Sequence, residues 1–219
     1  MPSSTSFING PVGPLECLIE NGAEPAQPIT AILCHPHPLF GGTMNNKVIT
    51  TLMQTCRDLG IATIRFNFRG IGQSAGQYDE GVGELQDCLA IANWVKQNQP
   101  SHHILLAGFS FGGCIAIKAA VEISPIGLIT IAPPVSRMNC ADAPFIPCPW
   151  IMVQGEKDET VDPESVYQFV ANRQEKINLL RLPNAEHFFH GQLTVLKEQL
   201  TKAILDCGIL KSPTEGQIP

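Results

Sequence analysis

The sequence predicts an α/β protein with a doubly wound, mostly parallel sheet and helices on both faces. Three observations carry that expectation. Short apolar runs recur at lengths suited to buried parallel strands, amphipathic helical segments separate most of them, and Gly108-Phe109-Ser110-Phe111-Gly112 stands where one such run meets a helix-forming stretch.

The strand-like runs are Ile29 to Cys34, Ile61 to Phe66, Ile104 to Ala107, Gly127 to Ile131, Trp150 to Val153 and Asn178 to Leu182. Between and after them, Val48, Leu52, Cys56 and Leu59 share one helical face that Gly60 ends, and Val82, Leu85, Leu89 and Ala92 make a second. Leu193, Leu196, Leu200, Ala203 and Ile204 make a third. Ahead of the first run, Phe7 to Glu20 reads as an antiparallel edge hairpin turning at Asn9-Gly10 or Gly13-Pro14. Right-handed crossovers then put function at the carboxyl ends of the parallel strands.

A chain of 219 residues, 44% of them hydrophobic, can bury one substantial core, and a single domain over residues 1–219 is expected, with Lys211 to Pro219 as a frayed tail. The net charge of −6 and a pI of about 5.5, with no cluster of lysine or arginine, exclude a nucleic-acid footprint and a basic membrane face. No apolar stretch is long enough to span a bilayer, and Met1 to Ser6 lacks the pattern of a secretory leader, which leads to a cytoplasmic expectation. The eight cysteines are scattered with no C-x-x-C pair, so buried free thiols are expected rather than disulfides or a zinc site.

The pentapeptide at Ser110 reads as a nucleophile elbow. A sharp strand-to-helix turn presents the serine at a strained backbone angle, and glycine at 108 and 112 permits close approach of the two elements. A serine hydroxyl needs an imidazole to accept its proton, and the imidazole needs a carboxylate to orient it. Both occur past later strands. Glu156, Asp158, Glu159 and Asp162 follow the Trp150 run, and Glu186, His187 and His190 follow the Asn178 run.

These segments resemble the α/β-hydrolase superfamily, most closely its small lidless members grouped with dienelactone-hydrolase-like and prolyl-oligopeptidase-like enzymes. The resemblance runs from about Ile29 onward. It rests on His35-Pro36-His37-Pro38 with Gly41-Gly42, on Arg65 to Ser74, on the serine elbow, on Gly155-Glu156-Lys157-Asp158 and on Ala185-Glu186-His187-Phe188-Phe189. It implies a triad of Ser110, His187 and Asp158. Asp162, one helical turn on, suits a helix cap before Pro163, and His190 suits the start of the following helix; Glu156 and Asp162 stand as the alternative acids. His102 and His103 are expected in solvent. The oxyanion hole takes the N–H of Phe111, the residue after the nucleophile, and the resemblance assigns the second donor to His37, because Pro38 has none.

The stretch from Ile131 to Trp150 is too short for a lid domain, which implies an open site. Its expected lining is apolar: Leu39, Phe40, Met44, Phe111, Pro134, Val135, Met138 and Phe188. The resulting expectation is a cofactor-free serine hydrolase, acting on a small carboxylic ester or thioester through an acyl-enzyme. Peptidase or amidase chemistry on the same triad, a zinc site built from His35, His37, His187 and Asp158, and a non-catalytic module on the same fold are the competing readings.

Overall fold

The computed structural model describes residues 5–210; the expected frayed tail, Lys211 to Pro219, lies outside them. Eight strands form one sheet: β1 (Thr5–Gly10), β2 (Gly13–Glu20), β3 (Ile29–Cys34), β4 (Ala62–Phe66), β5 (His103–Phe109), β6 (Gly127–Ile131), β7 (Trp150–Gly155) and β8 (Ile177–Leu182). Their order is β1-β2-β4-β3-β5-β6-β7-β8. The pairings β1–β2 and β2–β4 are antiparallel and all the others parallel, so the N-terminal hairpin adds an antiparallel edge to a parallel sheet. The hairpin turns at Pro11-Val12, between the two expected sites.

Five helices cover the sheet: α1 (Lys47–Asp58), α2 (Val82–Asn98), α3 (Phe111–Ile123), α4 (Pro163–Ala171) and α5 (Leu193–Asp206). Alternation along the strands feeds two cores. Ile32, Cys34, Leu106, Leu128, Trp150 and Met152 face α2, α3 and α4, whereas Ala31, Leu33, Ala107, Ile129, Ile151 and Val153 face α1 and α5. Strands buried on both faces explain why the sequence shows continuous apolar runs instead of alternation.

Of the face expected on α2, Ala92 is buried and Leu85 and Leu89 pack half-buried against the core, but the centre of the buried side is shifted away from them. Val82 is 68% exposed, and the buried side carries Glu84, Asp87, Cys88, Ile91, Ala92 and Val95. The two carboxylates are the cause. Glu84 accepts the N–H groups of Asp79 (2.9 Å) and Gly81 (2.8 Å), and Asp87 pairs with Arg69 (2.8 Å), so both are buried with their charge answered. A pattern that treats carboxylates as solvent-facing misses this shift.

All eight cysteines are free, and six are buried. Asp162 caps α4, accepting from Glu164 N–H (3.3 Å) and Ser165 N–H (3.2 Å), with Pro163 at the first helical position. His190 is exposed and does not cap α5, whose N-cap is Gln192. His102 is half-buried, its Nδ1 2.8 Å from the hydroxyl of Thr30, and so is less solvated than expected. Between Ile131 and Trp150 the chain makes only a loop with one short 3₁₀ turn, Cys140–Asp142, and no lid.

Candidate active site

Ser110 sits at the junction of β5 and α3 with φ 53° and ψ −121°, a conformation that costs a non-glycine residue about 1–3 kcal/mol. The surroundings hold it there. A Cβ on Gly108 would lie 2.1 Å from the Gly112 carbonyl oxygen, and one on Gly112 would lie 2.1 Å from that of Cys34. Both glycines are therefore steric requirements of the elbow, and the second presses the start of α3 against the end of β3. Ser110 N–H donates to Ile131 O (2.8 Å), tying the turn to β6.

The loops after β7 and β8 are zipped together beside it. Glu156 N–H donates to Leu182 O (3.0 Å) and Lys157 N–H to Ala185 O (3.0 Å), while a Cβ on Gly155 would come within 2.4 Å of Ala185 O. This brings residues 29 positions apart into contact: His187 Nδ1 lies 2.8 Å from Asp158 Oδ2. On its other side, His187 Nε2 lies 3.1 Å from Ser110 Oγ. Both distances fall within hydrogen-bond reach.

Asp158 is set up to stay ionised. Burial pushes its carboxyl pKa up, but His187 together with the N–H groups of Val161 (2.8 Å) and Thr160 (2.9 Å) outweighs burial and leaves it below the ordinary carboxylate value. An ionised Oδ2 requires the proton of a neutral His187 on Nδ1, which leaves the Nε2 lone pair for the serine hydroxyl. Gln154, fully buried at the end of β7, donates its Nε2 to the same Asp158 oxygen (3.1 Å), a partner that sequence reasoning missed. Neither Glu156, which pairs with Arg181, nor Asp162, which caps α4, bonds to His187. The His187 ring rests against Phe109 (5.0 Å) and Phe188 (5.0 Å).

On the opposite side of Ser110, the chain leaves β3 through His35 and the His37 loop. His35 is fully buried; its Nδ1 donates to Pro36 O (2.7 Å) and its Nε2 accepts from Phe68 N–H (3.0 Å). Both ring nitrogens are thus engaged by backbone, and the three-imidazole zinc set does not assemble; among the described residues no three His, Cys, Asp or Glu side chains form a metal-ligand group. The N–H groups of Phe111 and His37 donate to no protein acceptor among the described residues, and the rings of these two residues lie 5.0 Å apart.

Burial lowers the His35 pKa to about 4, against an ordinary value of 6.5. Between these values the unfolded chain binds a proton that the folded chain refuses, so this contribution to stability is complete above pH 6.5 and shrinks as pH falls toward 4. The loss is about 3 kcal/mol. Urea titrations at pH 7 and 4.5 should show a larger fall in stability for wild type than for His35→Gln; equal falls would contradict the assignment.

A cavity of about 300 Å³ opens at Ser110, lined by Pro36, His37, Phe40, Asn46, Thr160 and Phe188 among others. Of the expected lining, Phe40 (85% exposed) and Phe188 (45%) form its apolar rim. Leu39 is exposed outside it; Met44 and Val135 are buried in the core, and Pro134 and Met138 belong to the loop after β6 and do not line it. Burial of Met44 follows from its N–H, which donates to Asn67 Oδ1 (2.9 Å) beneath the loop. A second cavity, about 570 Å³, adjoins the other side of His187 and Phe188. A larger one, about 840 Å³, lies at the amino ends of β7 and β8 between Trp150, Ile177 and Cys207, away from the serine, and contains no paired nucleophile and base.

The segment Arg65 to Ser74 packs as a brace behind this site. Arg69 makes a buried ion pair with Asp87, and Gly83 leaves room for it, since a Cβ there would fall 2.0 Å from the guanidinium. Ser74 donates to Asn67 O (2.6 Å) and accepts Glu16 N–H (2.9 Å), joining the hairpin to the loop.

The model of an alpha/beta hydrolase domain family matches residues 30–204. An uncharacterized protein of Rickettsia prowazekii is 37% identical over 91% of this chain and 86% of its own length. Two solved structures share the fold closely. A serine hydrolase without lid from Xanthomonas campestris is 40% identical, covers 93% of this chain and 94% of its own, and has a TM-score of 0.90. A serine hydrolase homologue from Coxiella burnetii is 44% identical over 92% of this chain and 97% of its own, also with a TM-score of 0.90. With a family model matched over most of its length and an eight-stranded, mostly parallel sheet with no lid among the described residues, the chain belongs to the alpha/beta hydrolase family.

Proposed function

We propose that this protein is a serine hydrolase that cleaves a carboxylic ester with an apolar acyl group, through an acyl-enzyme. The observation that carries the reading is the unbroken line of hydrogen bonds from Ser110 Oγ through His187 to Asp158, with the serine in a strained elbow facing a cavity.

Ser110 Oγ attacks the ester carbonyl carbon as its proton passes to His187 Nε2. The negative charge that develops on the carbonyl oxygen is met by the N–H groups of Phe111 and His37, and Asp158 stabilises the imidazolium. Collapse breaks the bond to the alcohol oxygen, which leaves with the proton from His187. Water then attacks the acyl-serine with His187 again as base, releasing the acid and restoring Ser110. Thioesters fit the same sequence of steps.

The apolar rim of Phe40 and Phe188 and the modest cavity support a short acyl or monoaryl group, and the lidless opening supports a dissolved substrate over one held at an interface. The test is a panel of p-nitrophenyl esters of increasing acyl length beside peptide p-nitroanilides. Turnover of short and medium esters with little on the anilides is expected. Anilide turnover without ester turnover would move the assignment to a peptidase.

A further inference from the structure

Rigid placement of the oxyanion donors is left unexplained by the triad. His37 sits between Pro36 and Pro38, neither of which has an N–H, so the loop has few hydrogen bonds of its own. Its main-chain ties are Phe40 N–H and Gly42 N–H, both to His37 O at 3.1 Å, and Gly41 N–H to Pro38 O at 3.3 Å. The His37 side chain supplies the rest. Nδ1 accepts Leu39 N–H (3.2 Å), capping the 3₁₀ turn Pro38–Phe40. With Nδ1 as acceptor, the neutral ring carries its proton on Nε2, and the group facing Nε2 is the hydroxyl of Tyr78 at 3.2 Å.

We propose that Tyr78 is a positioning residue for the oxyanion site: by accepting the Nε2–H of His37, it locks the tautomer that caps the turn and so holds the His37 N–H beside that of Phe111. The inference rests on the proposed hydrolase reading.

Three features support it. The His37 ring is packed among Tyr78 (5.1 Å), Phe111 (5.0 Å) and Phe40 (4.7 Å), so fixing the ring fixes the main chain against the start of α3. Tyr78 is itself anchored. The residues that follow it, Asp79 and Gly81, donate their N–H groups to buried Glu84, and Arg69 at the other end of the loop is paired with Asp87. Tyr78 is not among the residues lining the cavity at Ser110 and meets it through His37, which is. Both partners hold their neutral forms: burial, then Glu84 and Glu80, raises the phenol pKa, and burial lowers that of His37 against the opposing pull of Glu84.

The test uses Tyr78→Phe, which keeps the ring packing, and His37→Asn, whose amide oxygen replaces Nδ1 at the cap but cannot reach Tyr78. Either change should lower kcat for a p-nitrophenyl ester about tenfold, a fraction of what removal of a whole oxyanion donor costs. KM should stay within about twofold, and affinity for an alkyl trifluoromethyl ketone, whose adduct carries the same oxyanion, should fall in parallel with kcat. The double variant should lose no more than either single one. Wild-type kcat and ketone affinity in Tyr78→Phe, or fully additive losses in the double variant, would overturn the proposal while leaving the hydrolase reading intact. An inactive wild type would overturn the hydrolase reading beneath it.

Discussion

Ser110→Ala should lower ester kcat by about 10⁶-fold, the scale on which loss of the nucleophile collapses a comparable triad. The side chain contributes only one hydroxyl, and its partner His187 keeps the Asp158 bond, so the fold should survive. Alanine should also be at least as comfortable as serine in the elbow sterically, since the strain belongs to φ 53° and not to the hydroxyl. A fall in activity with an unchanged thermal midpoint is therefore the expected pair of results. Retention of a large part of the activity would mean that another group attacks the substrate.

Asp158→Asn should cost about 10⁴-fold in kcat, because an amide facing Nδ1 favours the tautomer that points a proton, in place of a lone pair, at Ser110. His187→Ala should cost at least as much, and His190→Ala little, since His190 contacts Phe188 by its ring at 6.0 Å and has no bond to the serine. Asp162→Asn is the matched control. Its carboxylate caps α4 and touches neither His187 nor Ser110, so the expected effect is up to about 1 kcal/mol of stability with turnover preserved. Measuring kcat and thermal midpoint for these variants checks the ranking. Near-normal turnover in Asp158→Asn beside collapse in Asp162→Asn would reassign the acid.

Much of this arrangement was legible in the sequence because it is local. The elbow at Ser110 announces itself through two glycines whose Cβ atoms have no room, and the strand runs are continuous because both faces of the sheet are covered. The sequence also named Asp158 and His187, which the zipped loops after β7 and β8 bring to the serine. Glu84, Asp87, Gln154 and Tyr78 were not legible. Each is a polar residue whose partner lies on another element or loop or across a turn, and a polar residue without its partner in view looks like surface. The same reasoning explains the pocket. Met44 and Val135 were apolar and near the elbow in the order of elements, yet the core took them, and only Phe40 and Phe188 reach the rim.

The most direct measurement is intact-protein and peptide mass spectrometry after exposure to an alkyl fluorophosphonate. A serine activated by the His187–Asp158 pair should give one adduct per chain, on Ser110, with none in Ser110→Ala and a greatly slowed reaction in His187→Ala. A folded, pure protein that shows no adduct on Ser110, or an adduct on another serine that persists in Ser110→Ala, would contradict the account.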